Sequence, residues 1–101
     1  MAVQITTNPT NGGNVQVDAA GCMTVQVMIN AAATVNTWMV PTGATTPITP
    51  GQGSPQPPPN VWTPYIFCPV PHPAAGNKYD VTVQANNTQG LVTLTITVTA
   101  A

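Results

Sequence analysis

The side chains of this 101-residue chain that could carry acid–base, thiol or metal chemistry are few. They are Asp18, Cys22, Cys68, His72, Lys78 and Asp80. A hydrolytic triad built on His72 would need an acid and a nucleophile, and neither aspartate lies in a recognisable motif. Catalysis by paired carboxylates would need both aspartates in one cleft. The sequence therefore predicts no catalytic residue and no enzymatic activity.

Cys68 and His72 lie four residues apart in the segment Tyr65–Pro73. This segment resembles the copper-binding loop of cupredoxins, in which an aromatic strand leads to Cys, then His, then Met. A blue-copper site needs a second histidine and usually a methionine as axial ligand. His72 is the single histidine of the chain, and all four methionines precede it. We therefore expect no metal and no cofactor, and interpret His72 as a loop residue between two prolines.

The two cysteines leave two interpretations open. A bond between Cys22 and Cys68 would close a loop of about 47 residues, which the chain-entropy model values at about 4 kcal/mol of stability. Two separate buried thiols would instead act as small hydrophobic side chains. The N-terminus has no signal-peptide pattern that would indicate an oxidising compartment, so the sequence does not choose between them.

The charge of the chain excludes several classes of function. One basic and two acidic residues give a net charge of −1. A nucleic-acid binder needs a basic surface to contact phosphates, which one lysine cannot supply. No run approaches the roughly 18 apolar residues of a membrane span, so we expect no membrane insertion. So little charge suits permanent attachment or a cell exterior, which favours a virion surface or an extracellular, cell-surface location.

The C-terminal part of the chain predicts a β-hairpin. Residues Lys78–Ala85 alternate between apolar and polar side chains, and residues Leu91–Thr99 alternate in the same way. Between them, Asn86–Gly90 supplies Asn and Gly, which tolerate the positive φ values of tight turns. Two runs of period two around a short polar segment indicate an antiparallel hairpin with one buried face.

Shorter strands are predicted upstream, and Pro64 assigns the last of them to a sheet edge or a bulge. They are Val3–Thr6, Asn14–Val17, Cys22–Ile29, Thr34–Val40 and Val61–Cys68. Between the last two, Pro41–Asn60 contains seven of the twelve prolines and three glycines. We expect this loop or arm to stay out of the sheets, with its Pro57–Pro59 run in polyproline II conformation. No amphipathic helix is predicted, so the chain is expected to be all-β and a single domain over residues 1–101.

The last residues, KYDVTVQANNTQGLVTLTITVTA, resemble the final hairpin of bacterial and phage immunoglobulin-like domains of the Big and PKD types. That resemblance implies an immunoglobulin-like antiparallel β-sandwich of six to eight strands with a Pro-rich loop. It also implies that Trp38, 16 residues after Cys22, takes the place of the strand-C tryptophan, and that Cys22 and Cys68 lie on neighbouring strands. A second cysteine two residues after the strand-F tyrosine is typical of antibody domains, and Val81 occupies that position here.

The remaining signal is for binding. Trp62 and Tyr65 flank Pro64 after the proline run, and exposed aromatic residues are favoured in interfaces. We expect Trp62 and Tyr65, with Pro57, Pro58 and Pro59, to contact a partner or a glycan, or else Trp62 and Tyr65 to cover an edge of the core. The rigid Pro41–Asn60 segment would serve as a docking arm.

These features favour a non-enzymatic structural or interaction module. The first expectation is an accessory or decoration protein on a larger surface assembly such as a phage capsid, with homo-oligomerisation open. One alternative is an immunoglobulin-like repeat excised from a secreted bacterial adhesin or enzyme. Another is a small carbohydrate-binding module. The chain begins at Met1, which fits a complete gene product as well as an excised domain.

Overall fold

The structure is a computed structural model, and it describes residues 3–51 and 55–101. Within these ranges the chain contains seven strands and no helix, so the predicted all-β class is confirmed. The strands are β1 (Ile5–Asn8), β2 (Asn14–Val15), β3 (Met23–Ile29), β4 (Thr34–Pro41), β5 (Thr63–Phe67), β6 (Lys78–Asn87) and β7 (Gly90–Ala100). In the described part of the chain, no helix of sufficient length and apolarity to cross a membrane was found.

The strands form two sheets that enclose one core. Sheet A has three strands in the order β1-β3-β5, and sheet B has four in the order β2-β7-β6-β4. All pairings are antiparallel except that of β2 with β7, which is parallel. Sheet B is curled rather than flat. The fold is therefore β-sandwich-like, with the chain crossing from sheet A to sheet B between β1 and β2.

Strict alternation of side chains builds the core. Successive residues of a strand point to opposite faces of the sheet, so the apolar half of each alternating run is buried together. The inward face of β3 and that of β6 are almost completely buried: Met23, Val25, Val27, Ile29, Tyr79, Val81, Val83 and Ala85. β3 and β6 thus supply eight of the 17 buried apolar residues of the core, and β2, β4, β5, β7 and Val3 supply the rest.

The C-terminal hairpin has the predicted strands but a tighter turn. Asn87 pairs with Gly90, so the loop is Thr88-Gln89 and not the five residues Asn86–Gly90. The Asn87 side chain accepts a hydrogen bond from the Gln89 backbone N–H (2.8 Å), and Gly90 has a φ of +120°. An Asn side chain and a glycine with positive φ together allow the chain to reverse within two residues.

Apart from Pro41, which ends β4, the described residues of the Pro-rich loop add no strand to either sheet, as predicted. The loop nevertheless lies along both sheets and does not project from them as an arm. Ile48 exchanges two backbone hydrogen bonds with Met39 on the outer edge of β4 (2.7 and 2.9 Å), and Gly51 donates one to Ile66 on the outer edge of β5 (2.8 Å). Uncovered strand edges are sites of unwanted pairing, and covering them with a loop is a common protection. The loop therefore closes the side of the sandwich between β4 and β5. Residues 52–54 of the predicted loop lie outside the described residues.

Strand β5 lies at the edge of sheet A, as Pro64 predicted. Ile66 accepts its bond from Gly51 on the outer side of β5, and Pro64, two residues earlier, has the same orientation along the strand. The missing N–H of Pro64 is therefore on the outer edge, and no hydrogen bond to β3 is lost.

Trp38 is not the core tryptophan that the immunoglobulin resemblance implied. On β4 the buried side chains are Val35, Thr37 and Met39, so Trp38 lies on the outer face of sheet B and is half-buried there. The core position next to it is taken by Thr37, whose hydroxyl donates to the Thr82 carbonyl (2.8 Å). A buried hydroxyl is tolerated because this bond satisfies it.

Candidate interaction surface

The cysteines of the chain are joined in a disulfide at one end of the sandwich. Cys22 precedes β3, Cys68 follows β5, and their sulfur atoms are 2.07 Å apart. The adjacent residues Met23 and Phe67 are paired across the two strands, so the disulfide extends the β3–β5 pairing by one position. Cys68 is therefore not available as a thiolate ligand, which removes the donor that a cupredoxin-type site would require.

The turn that leads into this disulfide is organised by Asp18. Its carboxylate accepts hydrogen bonds from the backbone N–H groups of Ala20 and Cys22, both at 2.9 Å. Gly21 has a φ of +84°, and a Cβ atom placed there would lie 2.8 Å from the His72 ring. Asp18 and His72 thus have structural roles, one bonding a turn and the other packing over a glycine.

Asp80 lies on the outer face of sheet B. Its carboxylate accepts from the hydroxyl of Thr97 (2.8 Å) and from that of Thr42 (3.2 Å). No group of three or more His, Cys, Asp or Glu residues that could hold a metal occurs in residues 3–51 and 55–101. Asp18 therefore bonds backbone groups of a turn, and Asp80 bonds threonine hydroxyls on and beside sheet B.

Of the residues predicted to contact a partner or glycan, some are buried and others are exposed. Tyr65 is completely buried, and its hydroxyl donates to the Pro55 carbonyl. Pro57 is also buried, whereas Pro58, Pro59 and Trp62 are exposed. Tyr65 and Pro57 are therefore not exposed to a partner or glycan. Tyr65 points inward from the edge strand β5, in agreement with the alternative that it covers an edge of the core, and its hydroxyl bonds the loop that carries Pro57.

Trp62 belongs to a group of exposed apolar residues at one end of the molecule. Val61, Trp62 and Leu91 are 49%, 42% and 58% exposed, and we call them the apolar end. The Asn60 N–H bonds the carbonyl of Ile29, the last residue of β3, which brings Val61 and Trp62 to the end of the sandwich where β7 begins. Val61 and Trp62 are adjacent, whereas Leu91 lies at the same end on the other sheet, in β7 on the side away from β4. Exposed apolar groups that adjoin mark interaction sites more often than single ones do, so the Val61–Trp62 pair is the stronger signal. The sequence indicates Trp62 by its residue type, whereas it assigns Val61 and Leu91 only to the starts of strands.

A second feature lies on the outer face of sheet B, around Trp38. A groove of about 330 Å³ is lined by Asn36, Thr37, Trp38, Pro47, Thr49 and Gln84. It combines one aromatic ring with amide and hydroxyl groups and contains no charged residue. Sequence reasoning missed this groove, although Val35 and Trp38 are an odd number of residues apart and so must face opposite sides of a strand.

Comparison with known proteins gives evidence on fold alone. No protein-family model and no curated protein matches the chain. The crystal structure of an engineered protein from the Northeast Structural Genomics Consortium is similar over 99% of this chain, with a TM-score of 0.61 and 19% identity. The chain spans about a fifth of that protein (20%). A likeness at this identity concerns the arrangement of strands and does not transfer a function.

Proposed function

We propose that this domain is a non-enzymatic structural and interaction module, an accessory or decoration protein on the surface of a larger assembly such as a phage capsid. The observation that carries the proposal is the apolar end, where Val61, Trp62 and Leu91 are exposed on a domain with only three charged residues. A large aromatic side chain next to an aliphatic one, as Trp62 is to Val61, provides the kind of anchor that dominates protein interfaces. Low net charge promotes aggregation of a free protein, but this matters less for a protein that is docked permanently on an assembly.

The disulfide supports a location outside the reducing cytosol. Such bonds persist on virion and cell surfaces and are rare inside cells. The Cys22–Cys68 bond is therefore in keeping with a virion surface or an extracellular, cell-surface site. The same observation also suits the alternative, a repeat excised from a secreted adhesin or enzyme. A long reading frame with similar neighbouring domains would favour that alternative.

The strand order supports assigning the fold to the immunoglobulin-like class. If β1 and β2 are two parts of a divided first strand, the sheets correspond to strands A, B and E and to strands G, F and C. A fourth strand on sheet A is replaced by the Pro-rich loop, and the outward Trp38 departs from antibody domains. The proposed class is thus an immunoglobulin-like sandwich of the bacterial or phage type.

Cosedimentation with virions or surface particles from the source organism tests the function. The wild-type chain should sediment with the particles and form a regular outer layer in cryo-electron micrographs. Trp62→Ala should bind more weakly by about thirtyfold or more, since anchor residues cost at least about 2 kcal/mol when truncated. Trp38→Ala, which alters the other tryptophan, is the matched control. A wild-type chain that stays in the supernatant as a monomer would contradict the proposal.

The Trp38 groove favours a second candidate function, the binding of a neutral carbohydrate. An aromatic ring supplies a face for stacking, while Asn36, Gln84 and Thr49 supply hydrogen-bonding groups for hydroxyls. The chain has two tryptophans, so each single variant leaves one fluorescent reporter. Trp62→Phe should keep a fluorescence change with a neutral polysaccharide, and Trp38→Phe should abolish it. Absence of any change across a panel of neutral polysaccharides would exclude this candidate.

A further inference from the structure

The outer edge of β7 is covered along only half of its length. Gly12 donates to the Thr97 carbonyl (2.8 Å), and the Thr97 N–H donates to the Asn11 side chain (2.8 Å). The Thr99 N–H bonds the Gly13 carbonyl (3.0 Å), and beyond it the Ala101 N–H bonds the carbonyl of Val15 (2.8 Å). The segment from Asn11 to Gly13 and the strand β2 that follows it therefore cover this edge from Thr97 to the C-terminus.

The other half, Leu91–Ile96, is open. The Ala100 N–H bonds Asn77 on the β6 side, so even-numbered residues of β7 direct their backbone groups to β6 and odd-numbered ones direct them outward. Leu91, Thr93 and Thr95 accordingly present N–H and C=O groups along the outer edge. Nothing in residues 3–51 or 55–101 pairs with them.

This edge has none of the usual protections. Natural edge strands avoid pairing with other chains by being very short, by carrying charges or proline, or by lying under a loop. The outer edges of β4 and β5 are contacted by the Pro-rich loop, and β1 has four residues followed by Pro9. The segment Leu91–Ile96 has no charge, no proline and no glycine, and Leu91 is 58% exposed. It is therefore an uncharged strand edge of the kind that is open to pairing with another chain, whereas the other outer edges are contacted by a loop or are short.

We propose that Leu91–Ile96 is an intermolecular pairing edge that joins β7 to β7 of a second copy of this chain, in antiparallel orientation about a two-fold axis at Thr93. In this register Thr93 faces its own counterpart and Leu91 faces Thr95 of the other copy. The facing odd-numbered residues exchange two hydrogen bonds per pair, about six in all. The two copies of sheet B become one continuous sheet.

The side chains fit this register. On the core-facing side, Val92 lies opposite Leu94 of the second copy, and both are only half-buried in the single domain. On the outer face Thr93 meets Thr93 and Leu91 meets Thr95, and no like charges oppose each other. Asn11 and Gly12 cover the edge from Thr97 onward, so the second strand cannot pair beyond Ile96. The two-fold axis repeats this limit in the second copy, so the paired segment is bounded at both ends. A pairing centred on Thr93 uses all three outward-facing residues of the open segment.

The proposal goes beyond the function proposed above, since two copies can pair with or without a host surface. Sedimentation velocity over a range of concentrations tests it. The wild-type chain should form a dimer, and Thr93→Lys should raise the dimer Kd by about tenfold, because it sets two like charges opposite each other. Thr34→Lys, an exposed position on the same face of sheet B, should dimerise like the wild type.

Amide hydrogen exchange provides the second readout. The N–H groups of Leu91, Thr93 and Thr95 should become protected as the wild-type concentration rises, whereas in Thr93→Lys they should stay unprotected with the rest of β7 unchanged. A wild-type chain that remains monomeric at millimolar concentration would overturn the proposal. Protection that appears only when source particles are added would also overturn it, because the partner strand would then belong to another protein.

Discussion

At the scale of single residues, Tyr65 links the core to the Pro-rich loop. Its ring is completely buried, its hydroxyl bonds Pro55, and burial raises its pKa to about 12 from the ordinary 10.0. Because the folded pKa is the higher one, the folded state holds its proton more tightly, and stability is lost as the pH rises from 10 to 12. We expect the free energy of unfolding to fall by about 1 kcal/mol between pH 9 and 11 from this residue, as measured by urea denaturation.

Tyr65→Phe isolates this effect. The variant should be less stable at neutral pH by about 1–2 kcal/mol, because the Pro55 carbonyl loses its donor, but its stability should fall less between pH 9 and 11. Tyr79→Phe, which also removes a hydroxyl from a buried ring, is the matched control and should keep the alkaline loss that Tyr65 causes. Equal alkaline losses in the wild type and Tyr65→Phe would rule out Tyr65 as the group responsible.

The same residue shows what a sequence reveals at this scale. Tyr65 and Trp62 have the same apparent suitability for binding, since both are large aromatic residues beside Pro64. They differ in position relative to the strand. Tyr65 is within β5, pairs with Val25 on β3 and points inward like it, whereas Trp62 precedes β5. Which residues of a strand point inward can be counted only when the first and last residues of the strand are known, and Pro64 within this run obscures them. For Trp38 the family resemblance and the alternation along β4 give opposite predictions, and the structure agrees with the alternation, since Trp38 is three residues from the buried Val35.

At the scale of elements, one side chain of the Pro-rich loop covers the start of the β4 edge, at Val35, while Ile48 covers it at Met39. Gln56 accepts from the Val35 N–H (2.7 Å) and donates to the Val35 carbonyl (3.0 Å), as a neighbouring strand would. We expect Gln56→Ala to lower the free energy of unfolding by about 1–3 kcal/mol, since two backbone groups lose their partner. Hydrogen exchange of the Val35 amide should accelerate relative to that of Val83 on β6, which serves as the internal reference. Gln16→Ala removes an exposed amide elsewhere and should change neither quantity. Unchanged protection of Val35 would mean that Gln56 does not hold this edge.

Elements differed in how well the sequence predicted them. The β6–β7 hairpin and β3 were predicted closely because period-two alternation is a local signal that the buried face of a sheet imposes on every second residue. The predicted strand Val3–Thr6 begins two residues before β1, because Val3 is buried without being part of the strand. The contacts of Ile48, Gly51 and Gln56 with β4 and β5 could not be predicted, because they join a segment without periodicity to edges that exist only after the sheets have formed.

At the scale of the whole molecule, the fold is stabilised by its apolar core and by one disulfide, and with three charged residues it has almost no contribution from ion pairs. A domain of about 100 residues is stable by only about 5–15 kcal/mol, so one strong constraint is a large fraction of the total. The Cys22–Cys68 bond closes a segment that contains β3, β4, the Pro-rich loop and β5. It therefore spans strands from both sheets, including the two outer edges that the loop contacts.

Replacing both cysteines should lower the stability of the entire domain without changing its fold. In the chain-entropy model the loss for Cys22→Ala/Cys68→Ala is about 4 kcal/mol, and it arises because the unfolded chain gains freedom. The native strands should persist, since Cys22 is half-buried, Cys68 is exposed, and the Met23–Phe67 pairing does not require the sulfur atoms. Urea denaturation followed by tryptophan fluorescence measures the loss, and wild-type protein treated with a thiol reductant is the control that should lose a similar amount. A loss below about 1 kcal/mol in both samples would mean that the unfolded chain already keeps β3 near β5. The stability of this nearly uncharged domain would then have to come from the alternating core alone.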